Sequence, residues 1–553
     1  MAMIDGRDAR ALGGALLFGL AAYGCAEASG PQRDPALAQT ILYTQDAATE
    51  AATQAGFTFD DSRQDGDALV LSGVRYGGED GVVVTAKTLR LEGMGEGADG
   101  RLRADRNDAS GIVIETDRQV AEVQMDGADG DERGEEVLTG AVEATRTRID
   151  RLVLDDASYR APDEAGEDAD DAARRAAAAS VATALSFGAL EASGIAFGEP
   201  SGDASGTLSR LRVGGYEDGV LGRVRLDDLE VRTPTNAAAV QAALSAAPAG
   251  FAASPLARML TTSADRTRID EVVWTGANAA GVIGQMAQGE APGLGSPDVV
   301  VGDLILRGQT TLIGDEVAST VRETRVSDLR FEGAVPTNAV VRTKGAVSDM
   351  TAFAGEGDEE AVRLLEARGL DSVRGASLTR IAYDPAAGRL TATSEADTKG
   401  LYGLRFALDV GGLDSLGAEA TDAEAEIQAA DPAAAARAAF GDAALYGLTL
   451  SVTDEQLLDT AFELAALGGE QSAMELRQQA VGVVTLGALQ GGAISPRVPD
   501  YAGAVSSFLS NGGTLTIRMT PEGGLGATGA QAAMAAGPGG LLDAADLTIR
   551  HEP

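Results

Sequence analysis

The chain has 553 residues, with 84 aspartates and glutamates against 44 lysines and arginines, for a formal charge of −40. That balance excludes docking on nucleic-acid phosphates and on anionic lipid headgroups, both of which need a basic face. With 44% hydrophobic residues the chain can build its cores without disulfide staples, and its length suggests two to four structural units. Lysine is confined to Lys87, Lys344 and Lys399, so nearly all positive charge is arginine. The acidity reads most simply as solubility in a salty medium.

Residues 1–28 read as a targeting segment. Arg7 and Arg10 precede the apolar run Ala11 to Gly24, which is glycine-broken and shorter than the roughly 20 residues that span a bilayer. Asp5 and Asp8 dilute the positive start. Two processing readings stand side by side. Ala26-Glu27-Ala28 offers a small-residue cleavage site, whereas Ala22-Tyr23-Gly24-Cys25 resembles a lipobox in which Cys25 carries the lipid, although Tyr23 is bulky for one. Either way the expectation is a bacterial periplasmic protein. It is anchored to the outer membrane as a lipoprotein if Cys25 is acylated, and free if cleavage follows Ala28. Cys25 is the only cysteine, so the mature protein is expected to hold no disulfide or zinc–thiolate site. Residues 29–56 follow as a linker or helix.

From Phe57 the patterning becomes β-type. Leu89 and Leu91 alternate with Arg90 and Glu92, and Leu211 and Val213 flank Arg212. Further along, Leu229 and Val231 flank Glu230, and Leu329 and Phe331 alternate with Arg330 and Glu332. A period of two with one charged side predicts antiparallel sheet with one wet face. Gly/Asp clusters such as Gly77-Gly78-Glu79-Asp80-Gly81 and Gly214-Gly215-Tyr216-Glu217-Asp218-Gly219 supply turns. The Gly/Asp/Glu-rich tracts 93–111 and 126–136 read as mobile loops. Two short motifs recur. Thr147-Arg148-Ile149-Asp150 returns as Thr267-Arg268-Ile269-Asp270. Asp228-Leu229 with Pro234-Thr235-Asn236-Ala237 returns as Asp328-Leu329 with Pro336-Thr337-Asn338-Ala339. The second pair suggests a strand followed by an Asn-capped helix, used twice in duplicated sheet modules.

Helices are expected at 169–184, behind an acidic run, and at Glu359 to Arg368, stopped by Gly369. Near the C-terminus, the strand Leu445 to Val452 runs into Thr453-Asp454-Glu455-Gln456, read as a capping box. Ser472-Ala473-Met474-Glu475 is a second one. A third helix carries Val505, Phe508 and Leu509, stops at Asn511-Gly512-Gly513, and returns as the strand Thr514 to Met519. The expected class is therefore α+β and β-rich, built of extended, curved antiparallel sheet modules with Ala-rich helices and a C-terminal strand–helices–strand unit. The expected division is 57–240, 241–370 and 371–553.

The C-terminal module resembles uncharacterised envelope proteins of alphaproteobacteria through three features. These are its Leu457-Leu458 face, its Met474-Glu475-Leu476-Arg477 helix, and Phe508-Leu509 leading into Gly513-Thr514-Leu515-Thr516-Ile517. The amphipathic strands before it are loosely similar to AsmA-like and YdgA-like periplasmic proteins. The AsmA-like resemblance implies a long sheet that handles lipid between membranes. It supplies no catalytic motif.

The missing chemistry is informative. His551 is the only histidine and lies near the end of the chain, where disorder is the expectation. This leaves no Ser-His-Asp triad and no histidine-rich metal site. No lysine lies in a P-loop or a Ser-x-x-Lys motif, and no Gly-x-Ser-x-Gly elbow occurs. Carboxylate pairs abound, but Trp274 is the sole tryptophan and sugar sites favour aromatic platforms. Trp274 reads as a packing residue. Asp129, Asp131 and Gly134, and the cluster Asp61, Asp65 and Asp67, touch on calcium-loop spacing. In the first, Arg133 and Gly140 stand where oxygen ligands are needed, and both clusters read as ordinary acidic turns. No catalytic residue, cofactor or metal site is assigned. Two functions remain: a lipid- or hydrophobe-handling sheet, and a structural or assembly lipoprotein that contacts other envelope proteins.

Overall fold

A computed structural model describes residues 57–77, 82–97, 100–120, 141–160, 169–198, 205–232, 265–292, 295–332, 335–354, 358–413, 443–467, 469, 471–492 and 495–553. The expected targeting segment 1–28 with Cys25, the 29–56 segment, the tract 126–136 with Asp129 and Asp131, and the first Pro-Thr-Asn-Ala motif lie outside the described residues. The protein is α+β and β-rich, and its strands are long and antiparallel. Contacts divide it into two units. One ends at Pro234 and takes in Ala287–Gly289; the other holds Thr235–Met286 and Glu290–Pro553. The expected boundary near 370 falls inside the second unit, between a helix and the strand that follows it.

The first unit contains β1 (Phe57–Thr58), β2 (Asp61–Asp65), β3 (Ala68–Gly77), β4 (Val82–Glu92), β5 (Gly95–Glu96), β6 (Leu102–Val120) and β7 (Ala141–Tyr159). Helix α1 (Asp171–Ala184) follows, then β8 (Leu185–Ser186), β9 (Ala189–Gly198), β10 (Ser205–Val213), the hairpin β11 (Tyr216–Glu217) and β12 (Val220–Leu221), and β13 (Val224–Arg232). The sheet runs from β1 and β2 through β3, β4, β6, β7, β9 and β10 to β13, every pair antiparallel. Residues 102–111, expected to be loop, are strand β6. Their acidic and basic side chains occupy the wet positions of a ladder: Arg151 holds Asp108 at 2.5 Å and Arg106 holds Asp155 at 3.0 Å. The apolar positions form a closed core in which Leu89 and Leu91 are each 1% exposed. Asp170 caps α1 by accepting from the Ala173 amide at 2.8 Å. In the β11–β12 hairpin, Asp218 and Gly219 both take positive φ, as a two-residue turn matched to strand twist requires.

Strict alternation fails at one place on each strand. Core residues step by three rather than two at Leu71/Val74, Ala86/Leu89, Ala109/Ile112 and Ile149/Leu152. The register explains why. Asp60, Gly73, Lys87, Gly111, Asp150, Gly194, Ser209 and Asp228 stand opposite one another across successive strands. Gly73, Gly111, Gly194 and Asp228 are left-handed, with φ of 63°, 58°, 61° and 56°. Each of the three glycines is covered by the side chain of its neighbour in the row, Asp60, Lys87 or Asp150, which occupies the space a Cβ would need. Every strand carries the extra residue, so the row shifts the facing of side chains without costing register.

The second unit starts with β14 (Arg266–Thr275), α2 (Ala280–Ala287), β15 (Val299–Ile313), β16 (Glu316–Glu332) and β17 (Val335–Asp349). Helices α3 (Met350–Ala354) and α4 (Glu359–Ala367) lead to β18 (Ser372–Asp384), β19 (Arg389–Lys399), β20 (Tyr402–Gly411) and β21 (Ala444–Asp454). Then come α5 (Leu457–Ala466), α6 (Ala473–Gly491), α7 (Val498–Asn511), β22 (Gly513–Met519), β23 (Leu525–Gly526), α8 (Ala527–Ala535), α9 (Pro538–Ala544) and β24 (Thr548–Glu552). From β14 to β22 the main strands pair in chain order, and β24 adds to β22, all antiparallel. The same row device returns: Asp270, Gly308 (φ 62°), Arg322, Gly345 (φ 64°) and Ala376 stand opposite one another. The repeated Thr-Arg-Ile-Asp motif thus marks one structural position twice, because Asp150 covers Gly194 as Asp270 covers Gly308.

The second motif also marks a shared conformation, with Asp228 and Asp328 left-handed at φ 56° and 55°. Its expected Asn-capped helix is absent at Pro336 to Ala339, which are extended in β17. Asn338 instead donates to the Asp328 carboxylate at 2.6 Å, so its side chain serves a ladder irregularity rather than a helix start. The capping box expected at 453–456 is also corrected. Helix α5 starts at Leu457 without side-chain capping from Gln456, and Asp454 accepts from the Leu458 amide at 2.9 Å. The box at Ser472 and Glu475 has both its halves. There the Ser472 amide, and then its hydroxyl, hold the Glu475 carboxyl below the usual carboxylate range. His551 is ordered in β24, within 2.7 Å of the Gly512 carbonyl and edge-on to Phe508. Helix α7 packs on β22 and β24 and brings Phe508 down to 7% exposure.

Candidate functional site: two faces of the C-terminal sheet

Pairing partners in a ladder share a face, and successive residues alternate. In the second unit this gives β20–β22 an apolar side, whose rows run on through Thr and Ser of β18 and β19, and β17–β21 a charged side. The apolar side carries Leu404, Phe406 and Leu408 of β20, opposite Val452, Leu450 and Leu448 of β21. It continues through Leu515, Ile517 and Met519 of β22. All nine of these side chains are only half-buried. In the first unit the central strands β3, β4, β6 and β7 bury most of their apolar positions, while Leu211, Val213, Leu226, Leu229 and Val231 towards its edge are half-buried as well. Buried packing in the second unit is instead concentrated where Ala361, Leu365, Leu370, Leu401 and Leu464 meet, among α4, α5 and adjoining turns.

On the opposite side, β17–β21 form an open groove of about 650 Å³. Arg342 and Lys344 line one bank from β17. Glu395 and Asp397 of β19 and Arg405 of β20 line the other, with Ala376 and Leu378 of β18 between. Two register rows build it. Arg342 pairs with Leu378, Leu378 with Glu395, and Glu395 with Arg405; Ala376 pairs with Asp397, and Asp397 with Gly403. Glu455 at the rim is already engaged, accepting from the Gly400 amide at 2.7 Å. Elsewhere on this side several charges are paired, whereas the exposed Arg374, Arg380 and Lys399 have no carboxylate partner among the described residues. Arg325 holds Asp303 at 2.8 Å and keeps its carboxyl below the usual range, helped by the Asp328 amide. Arg389 chelates Asp409 at 2.5 and 2.8 Å while lying 4.0 Å over the Tyr446 ring.

Sequence reasoning did not find this groove. Arg342-Thr343-Lys344 and Glu395-Ala396-Asp397 each carry charge at alternate positions, but only the strand order makes them neighbours. Trp274 is half-buried in β14, and its indole donates to the Val301 carbonyl at 2.5 Å, as a packing residue does. Asp65 is held by Arg90 at 2.8 Å, an interaction that lowers its pKa, so it serves a cross-strand ion pair. Among the described residues, no cluster of three or more His, Cys, Asp or Glu could hold a metal ion. No described helix is long and apolar enough to cross a membrane.

The class that this fold defines is an open, antiparallel, β-rich α+β sheet protein with an apolar patch on β20–β22. A family model described as "Uncharacterized protein" matches residues 395–552, which run from within β19 to the end of β24. No curated protein matches the chain.

Proposed function

We propose that the chain is a non-enzymatic bacterial envelope protein that binds or carries a lipid, or another hydrophobic ligand, on the apolar face of its C-terminal sheet. The observation that carries this reading is the half-burial of Leu404, Phe406, Leu408, Leu448, Leu450 and Val452, a contiguous apolar patch on paired strands, beside a first unit whose central strands β3, β4, β6 and β7 bury most of their apolar positions. Each apolar square ångström that a ligand removes from water yields about 25 cal/mol, so acyl chains laid across these strands gain binding energy with no polar contact. The acidity agrees with a role that needs no adhesion to anionic membrane surfaces. Export to the periplasm, and an outer-membrane anchor at Cys25, belong to the same reading.

Native mass spectrometry of the purified mature protein tests it. The expected result is a lipid adduct that survives gentle activation and disappears in Phe406→Glu, with circular dichroism unchanged. A lipid-free native chain that takes up no fluorescent fatty acid would overturn the reading. The same spectrum reports the N-terminus: acylation at Cys25 adds a mass that Cys25→Ser removes.

A second reading, assembly with other envelope proteins, has one observation in its favour. Helix α6 leaves Val483, Leu486 and Leu489 exposed at 65%, 61% and 75%, on neighbouring turns that carry no charge. Crosslinking from position 486 to a second envelope protein, in cells and without lipid, would favour it.

A further inference from the structure

The charged groove gathers five charges of both signs in one place. Among the described residues, Arg342, Lys344, Glu395, Asp397 and Arg405 make no ion pair or hydrogen bond through their charged groups, although all line one groove. On the same face Arg307, Arg325, Arg330 and Arg389 have carboxylate partners, while Arg374 and Arg380 of β18, flanking the groove floor, do not.

The arrangement has a local cause. The pairing of β17 with β18 shifts between Thr343 and Ala346, where Gly345 takes φ 64°. Bulges re-aim the side chains beside them, and here the neighbour is Lys344. Between the banks β18 contributes Ala376, Ser377 and Leu378, so no charged residue on the floor neutralises either bank.

The spacing selects a ligand. Two strand spacings separate β17 from β19, about 9–10 Å. Charge-assisted contacts of about 2.8 Å at each bank leave roughly 4 Å between the two charges of a bound molecule. Two cations side by side on β17 suit a phosphate better than a single carboxylate, since phosphate offers more oxygens to a guanidinium and an ammonium together. The carboxylates on β19 suit an ammonium. Arg405, opposite Glu395, offsets part of the acidic bank and leaves Asp397 as its principal charge.

We propose that this groove binds a zwitterionic phosphate ester of an amine, the chemistry of phosphoethanolamine whether free or as a lipid headgroup. The groove lies on the side of the sheet opposite the apolar face, so it stands or falls independently of acyl-chain binding.

Isothermal titration of the full chain with O-phosphoethanolamine, inorganic phosphate and ethanolamine tests the proposal, and flotation with vesicles tests the headgroup source. The expected result is saturable binding of phosphoethanolamine at least tenfold tighter than that of either fragment. Arg342→Gln/Lys344→Gln should weaken it at least tenfold. Glu395→Gln/Asp397→Asn should abolish the preference for phosphoethanolamine over inorganic phosphate, and Arg518→Gln, on the same sheet outside the groove, should change nothing. Binding of the free compound supports a soluble ligand. Flotation only with phosphatidylethanolamine vesicles, lost in Arg342→Gln/Lys344→Gln, supports the headgroup. Two results overturn the proposal: phosphoethanolamine binding no tighter than phosphate together with no vesicle preference, or binding insensitive to both double variants. Circular dichroism of each variant guards against misfolding; all the substituted side chains are exposed, so the fold should persist.

Discussion

Asn107 is the residue most at odds with its surroundings. It lies in β6, opposite Leu91 on one side and Leu154 on the other, and is 4% exposed. Neither its amide nitrogen nor its carbonyl oxygen has a hydrogen-bond partner. An unsatisfied buried amide costs about 1–3 kcal/mol, whereas an apolar group of similar volume costs nothing of this kind. Asn107→Leu is therefore expected to stabilise the first unit by about 1–3 kcal/mol, read as a higher midpoint in thermal or denaturant unfolding. A lower midpoint would mean that the amide does work the structure does not display. The sequence makes Asn107 look like a wet-face or turn residue, because it lies in a tract rich in Gly, Asp and Arg; only the row of left-handed positions reveals that it points inward.

At the scale of elements, the strands were legible wherever charge and apolar residues alternate, as at Leu89 to Glu92 and Leu515 to Met519. The helix beginning at Ser472 was legible because its cap is chemical and local. Three things were not. Residues 102–111 look like a polar loop because a two-faced strand with ion pairs on its wet side has the composition of one. The Pro-Thr-Asn-Ala motif suggests a helix cap, yet β16 and β18 claim its backbone on both sides. The groove needs five strands in order, and no window of sequence contains that. The transverse rows were half legible, as a repeated Thr-Arg-Ile-Asp whose purpose lay on the next strand. Gly308→Ala tests that purpose. A left-handed non-glycine residue costs about 1–2 kcal/mol. The added methyl also overlaps the Asp270 carboxylate, so the loss should reach or exceed that figure. Asp270→Gly in the same chain should recover the overlap but not the backbone cost, so the double variant should fall between the single variant and the native chain in urea unfolding.

For the whole molecule the dominant quantity is charge. Individual surface ion pairs contribute about 0–1 kcal/mol each and weaken with salt, whereas a charge of −40 repels itself throughout the chain. The Debye length falls from about 30 Å at 0.01 M to about 8 Å at 0.15 M, which screens long-range repulsion more than contacts of about 3 Å. The unfolding midpoint should therefore rise as sodium chloride increases over that range; a fall would show that the cross-strand pairs outweigh the net charge. The same reasoning sets apart the uncharged turns of α6 and the half-buried face of β20–β22 as surfaces where screening changes little.

The left-handed rows also act as a key. If β9 slid by one residue along β7, Gly194 would leave its place beneath Asp150 and either Ser193 or the β-branched Ile195 would have to adopt a positive φ there. On alternate strands of the row a left-handed residue leaves a notch, and at Gly73, Gly111 and Gly194 the neighbour's side chain fills it in one alignment. Long antiparallel strands rich in repeated Leu, Val and Arg would otherwise offer several near-equal pairings, within the chain and between chains. A foreign strand seeking to join such a sheet must bring a glycine, or a tolerant aspartate, to the right depth. The rows thus give a repetitive sequence a single solution, and they make mispaired or aggregated forms costly at every strand they cross.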